Sequence, residues 1–237
     1  MEFPGEKPAW GILHIVAGSI LIFVLMVIYG QFLRTDLFDY LFFLYGYPAT
    51  DVQEFFLDYA VQLIVTLSTV LIILFVSRSS LKDLGFVRQN MRHGVVLGIL
   101  WGVAIYAAVI ISYWILKSIF PNIPPQSPEV VLKQAGQSSA AIGLFIYIAV
   151  LGPLSEEVFY RGMIYPVFRR YLGVGWGIVT SGIIFGAVHG DKWRLFPLVL
   201  GGIALAHIYE KSKTIYAPWI AHGVWNGIMA ITTIYLS

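Results

Sequence analysis

The sequence predicts an all-α polytopic membrane protein, a helical bundle of about seven transmembrane helices, and three observations predict it. Hydrophobic residues make up 58% of the chain and charged residues 12%, where a soluble domain carries roughly a quarter charged. The mean hydropathy is +0.79. Apolar runs of the length needed to cross a bilayer, about 20 residues each, recur from end to end. At 237 residues the chain reads as a single integral membrane domain, 1–237, with a motif-bearing core at about 140–230.

The first run, Trp10–Leu33, is too long for the apolar core of a signal peptide and lacks a small-residue cleavage site after it, so it reads as a retained helix. Further runs fall at Tyr59–Val76, Gly94–Leu116, Ala140–Val158, Val174–His189, a short Leu195–Tyr209, and Thr214–Tyr235. Between the first two, RTDLFDYLFFLYGYPATDVQEFFLD is acidic and aromatic, as expected of an outer loop with an interfacial piece. KSIFPNIPPQSPEVV is a loop, because Pro121, Pro124, Pro125 and Pro128 forbid a continuous helix. Gly94, Gly98 and Gly102 recur every four residues on the third run, and Gly182, Gly186 and Gly190 do so on the fifth. That spacing predicts close helix packing.

Charge sets the expected orientation. With the N-terminus cytoplasmic, the inner side holds nine cations (Lys7, Arg78, Lys82, Arg88, Arg92, Arg169, Arg170, Lys211, Lys213). The outer side then holds five: Arg34, Lys117, Lys133, Lys192 and Arg194. The excess predicts an N-in, multi-pass protein of the plasma membrane. A net charge of +2 gives no argument for a nucleic-acid partner. The absence of cysteine excludes disulfides and thiolate ligands, so any metal would be held by His, carboxylate and water.

Against this background LGPLSEEVFYRG, Leu151–Gly162, stands out, because charges at membrane depth are rarely kept without a function. Four residues apart on a helix, Glu157 and Arg161 share a face and can pair, while Glu156 lies about 100° round. Glu156 is thus the carboxylate without a local partner, expected to be protonated, metal-bound or turned to water. Further on, FGAVH places Phe185 and His189 four apart, and HGVWN does the same for His222 and Asn226. One Glu and two His form the ligand set of a hydrolytic zinc site with a position open to water, supplied here by three different helices. His14 reads as a residue reaching the headgroups and His207 as a packing residue near Glu210.

With EEVFYR, FGAVH and HGVWN in this order, the chain resembles the CAAX-protease and bacteriocin-processing family of intramembrane proteases, which includes the type II CAAX prenyl endopeptidase. LKDLGF at Leu81–Phe86 looks like that family's loop before the core. The resemblance implies an all-helical membrane endopeptidase with Glu156, His189 and His222 at its catalytic centre, binding a divalent metal, zinc first, or activating water directly. Glu157, Arg161 and Asn226 would support them, and Phe185 would shape the pocket. With a metal, Glu157 is the candidate general base, and Arg161 or Asn226 would face the oxyanion. The partners implied are the lipid bilayer and a peptide or protein substrate, lipid-modified or membrane-embedded. Two rivals stand beside this reading: a non-enzymatic bacteriocin-immunity or chaperone-like membrane protein with the same fold, and an ion or proton transporter. One geometrical tension is left, since a straight fifth helix would put His189 about 22 Å from Val174.

Overall fold

The computed structural model describes residues 8–34, 40, 51–88 and 91–235, and every regular element among them is helical. Helix α1, Ile12–Ile28, runs on through a π-helical turn at Tyr29–Leu33. Helices α2 (Asp51–Val76) and α3 (Met91–Ile119) follow, then the short α4 (Ser127–Ala135). Next come α5 (Ser139–Ile146), α6 (Gly152–Glu157) and α7 (Tyr165–Val188), joined without a loop by π-helical stretches at Tyr147–Leu151 and Val158–Ile164. Helices α8 (Leu195–Ser212) and α9 (Tyr216–Tyr235) complete the chain.

Among the described residues, four helical stretches are long and apolar enough to cross a bilayer: Ile12–Leu33, Asp51–Val76, Met91–Ile119 and the 50-residue Ser139–Val188. The last holds two of the expected crossings, because Gly173 leaves helical geometry at φ 77° and ψ 173°. Only glycine enters that region freely. Helices α8 and α9, of 18 and 20 residues, fall short of that apolarity because each carries polar side chains, His207 and Glu210 on one, His222 and Asn226 on the other. Most of the expected acidic loop, 35–39 and 41–50, lies outside the described residues. Its last part is helical, so α2 starts at Asp51 instead of Tyr59. The proline-rich loop likewise ends at Gln126, since Pro128 sits in the first turn of α4, where its missing N–H costs nothing.

The break at Gly173 resolves the tension over His189. Beyond it the chain turns back on itself, and a Cβ at Gly177 would meet the Arg169 backbone at 2.8 Å. Further along, the Arg161 guanidinium lies 4.5 Å from the centre of the Phe185 ring. Residues 174–188 thus run antiparallel to 157–172, and the same register brings His189 level with Glu157. Both lie about 22 Å from the bend.

Two glycine stripes pack helices closely, as the spacing predicted, and one of them holds this hairpin against α8. A Cβ on Gly98 would lie 2.7 Å from the Ala217 carbonyl, and one on Gly102 2.6 Å from Val224 Cβ, so α3 packs backbone to backbone on α9. Gly182 and Gly186 do the same for α7 on α8, where added Cβ atoms would come within 2.6 Å of Ile203 N and 2.9 Å of Val199 N. Gly190 departs from the stripe. Nothing would meet its Cβ, and its φ of 64° ends α7.

Candidate active site

The two π-helical stretches flank the helix that carries the glutamates, and π turns gather at functional sites. Pro153 supplies a cause for the first. Lacking an N–H, it cannot serve the Ile148 carbonyl five residues back, and Asn226 Nδ2 donates to that carbonyl instead at 3.2 Å. Trp219 Nε1 donates to the next-but-one carbonyl, Val150 O, at 2.9 Å. Gly223 has no side chain and so lets the Ala149 carbonyl come close. These contacts dock α9 on Tyr147–Leu151 and bring His222 to the glutamates.

Glu157 and Arg161 pair as their spacing predicted, Oε1 to NH1 at 2.7 Å, both side chains fully buried. Arg161 NH2 donates to the Gly202 carbonyl at 3.0 Å, and the guanidinium stacks on Phe185. Glu157 Oε1 also meets His222 Nδ1 at 2.8 Å. Facing an ionised carboxylate, Nδ1 carries the proton and Nε2 keeps its lone pair. That Nε2 lies 4.0 Å from Glu156 Oε2, a buried atom with no hydrogen-bond partner. Glu156 itself is 29% exposed and so the accessible carboxylate of the pair.

His189 ends α7 and is exposed. Its Nδ1 lies 2.7 Å from the Phe185 carbonyl, an acceptor only, so Nδ1 is again the protonated nitrogen and Nε2 is free. The Phe185 ring packs edge-on near both histidines, with centroid separations of 4.8 Å to His189 and 5.7 Å to His222. In the loop beyond, burial works to raise the Asp191 carboxyl, but contacts from Arg194 and the Trp193 N–H outweigh it and hold the group below the usual carboxylate range. Its contacts are therefore intact at neutral pH and weaken only as pH falls through that lowered value.

The structure thus brings Glu156, Glu157, Arg161, Phe185 and His222 into one cluster, with His189 at its edge and Asn226 behind it. A zinc ion held by Glu156, His189 and His222 needs all three donor atoms about 2.0–2.2 Å from one point. Among the described residues no group of three or more His, Asp or Glu side chains is gathered to hold a metal ion. The donor chemistry suits zinc and the spacing does not, so no step below passes through a metal. Sequence reasoning missed three tyrosines, Tyr59, Tyr147 and Tyr160, each close enough to feel the Glu156 charge. Tyr160, four residues after Glu156, carried a signal in its spacing, whereas Tyr59 on α2 carried none. His14 accepts from the Gly11 N–H at 3.2 Å and caps α1, and His207 packs near the Trp101 ring while Glu210 pairs with Arg169.

Comparison with known proteins bears on the same segment. Residues 138–228 match the family described as type II CAAX prenyl endopeptidase Rce1-like. The match covers the segment that carries the three motifs. The chain is also 26% identical to the putative membrane peptidase YdiL of Bacillus subtilis, over 70% of this chain and 68% of that protein. It is 27% identical to the UPF0177 protein YaiF of Lactococcus lactis and 33% identical to an uncharacterised protein of Mycoplasma capricolum. Each of these two matches covers 38% of this chain, and spans only 40% and 28% of the respective relative. No solved structure matches. The resemblance read from the three motifs is borne out by that match, and the apolar helices make this a multi-pass membrane protein.

Proposed function

We propose that the protein is an intramembrane endopeptidase in which Glu156 and His222 activate water for attack on a peptide bond near or within the bilayer. The observation that carries this is the array Arg161–Glu157–His222–Glu156, which ends in a bare imidazole nitrogen and an unpartnered carboxylate oxygen 4.0 Å apart. Glu156 takes a proton from the water as its oxygen bonds to the carbonyl carbon. When the tetrahedral intermediate collapses, the C–N bond breaks and the proton passes to the departing amine, leaving a carboxylate and an amine. Glu157 Oε1 holds the His222 tautomer and pairs with Arg161, so in this reading the fully buried Glu157 positions His222 and the more exposed Glu156 acts as base. Arg161 and Asn226 donate to Glu157 and to backbone carbonyls, and the oxyanion is assigned to His189 at the edge of the cluster.

The test uses purified protein in lipid discs, offered membrane-embedded peptides with and without a C-terminal prenyl group, with products identified by mass spectrometry. Internal cleavage insensitive to chelators, in protein carrying no stoichiometric metal, is the expected result. One divalent metal per chain that disappears in His189→Ala would replace direct activation by metal activation. Absence of cleavage for every peptide, in protein that melts cooperatively, would favour the immunity or chaperone-like reading.

Orientation follows from the same reading, with the N-terminus in the cytoplasm. The short loop holding Arg78, Lys82 and Arg88 then faces inward. A cysteine placed at Ser80 in this cysteine-free chain is expected to react with an impermeant maleimide only after cells are opened, and labelling of intact cells would invert the topology.

A further inference from the structure

We propose that Arg194 is the positioning residue for His189, acting through a clamp between the loop that follows α7 and the proline-rich loop that follows α3. The inference rests on the reading of His189 as part of the reacting centre.

His189 is poorly held by its own helix. It caps the C-terminus of α7, its side chain is exposed, and Gly190 at φ 64° turns the chain away immediately after it. Its imidazole has one fixed point, the Phe185 carbonyl. Its direction therefore depends on what holds residues 190–194. Left alone, a helix end of this kind frays.

The structure fastens that loop at several points: the Trp193 ring packs 5.5 Å from Phe120, and the side-chain hydrogen bonds pass through Arg194 or its partner Asp191. Asp191 Oδ1 accepts the N–H groups of Trp193 and Arg194 at 3.0 and 3.1 Å, which closes the turn. Arg194 NH1 donates to Asp191 Oδ2 at 2.8 Å, and NH2 donates across to the Pro124 carbonyl at 2.7 Å. Gln126 Nε2 reaches Asp191 Oδ2 from the other side at 3.3 Å, and the guanidinium lies 5.6 Å from the centre of the Tyr113 ring on α3. Arg194 is only 9% exposed despite its charge. A planar fork that serves a carboxylate and a carbonyl on two different loops cannot be replaced by a lysine without losing one of them.

Two things follow. The proline-rich loop is more than a connector, since its Pro124 carbonyl and Gln126 fix the turn five residues after the histidine. And Tyr113, Pro124 and Gln126 lie outside the 138–228 segment that matches the family, so a part of the chain beyond the matched core sets the position of one of its motif residues. A displacement of about 1 Å in a reacting group can cost about a hundredfold in rate.

The experiment compares wild type, Arg194→Lys and Arg194→Met in lipid discs by two readouts. Imidazole resonances of ¹⁵N-histidine protein, assigned through His189→Gln, report the ring directly. Kinetics on the peptide that wild type cleaves report the consequence. In Arg194→Met the His189 signal is expected to shift or broaden while His222 stays unchanged, with kcat down about tenfold to a hundredfold and KM within about twofold. Arg194→Lys, which keeps the charge and guards against a misfolded Met variant, is expected to lie between the two. An unmoved His189 signal in Arg194→Met overturns the proposal, as does a moved signal with wild-type kcat. An inactive wild type whose His189 signal nevertheless depends on Arg194 would leave the clamp standing and sink the protease reading instead.

Discussion

Glu156→Gln is expected to lower turnover by about 10³-fold while leaving the melting temperature within about 2 °C of wild type. The two halves of that expectation come from the same geometry. Glu156 Oε2 has no hydrogen-bond partner in the protein, and its side chain is 29% exposed. An amide of the same shape therefore breaks no contact that the fold uses. It does remove the accessible carboxylate beside His222 Nε2. Glu156→Asp probes distance: the carboxylate is kept but withdrawn by one methylene, and a loss of about a hundredfold is expected. Melting curves and single-turnover kinetics on the same preparations separate stability from chemistry. A Glu156→Gln protein with more than a tenth of wild-type turnover would remove Glu156 from the base role and return Glu157 to candidacy. Equal loss in Glu156→Asp and Glu156→Gln would point to a metal ligand, since ligation depends more on reach than on basicity.

What could be read from the chain and what could not divide along a physical line. The Glu157–Arg161 pair needs only the pitch of a helix, and so does the isolation of Glu156; both were legible. The α3 and α7 glycine stripes were legible as well, because a four-residue repeat of the smallest side chain has few other uses in an apolar helix. The position of Gly190 at a helix end was not, since the repeat continued through it and only the backbone φ distinguishes a cap from a packing residue. The link from His222 to Glu157 joins residues 65 apart through the docking of α9 on a π turn, and no local period encodes that. Nor did the sequence show that the chain doubles back at Gly173. A glycine before an apolar run marks a boundary equally well for a loop or a hairpin, and the choice was made by packing of Gly177 on Arg169. The metal reading lies between these cases. Residue types alone allowed it, whereas convergence of the donor atoms on one point is a tertiary property.

The largest effect on stability is expected from Arg161→Met. Both members of the Glu157–Arg161 pair are fully buried, so removing the cation leaves an anion in the core without its main partner. Breaking a buried pair from one side costs about 3–5 kcal/mol, which for a chain of this size is a fall in melting temperature of about 10 °C. The change also strips the Gly202 carbonyl of its donor and Phe185 of the guanidinium stacked on it. Adding Glu157→Gln should recover part of the loss, because the amide carries no charge to strand. The recovery will be incomplete, since His222 Nδ1 then donates to a neutral oxygen in place of a carboxylate. Turnover should respond differently from stability. His222 keeps its tautomer against an amide oxygen but is less basic, so the double variant is expected to stay about a hundredfold below wild type. A double-mutant cycle read on melting and on turnover tests both statements, with a coupling of about 1–3 kcal/mol expected in stability. Strictly additive stability losses would mean that the pair is not held as the structure has it. A double variant with wild-type turnover would mean that Glu157 neither orients His222 nor tunes it, and the array proposed for water activation would then lose its second member.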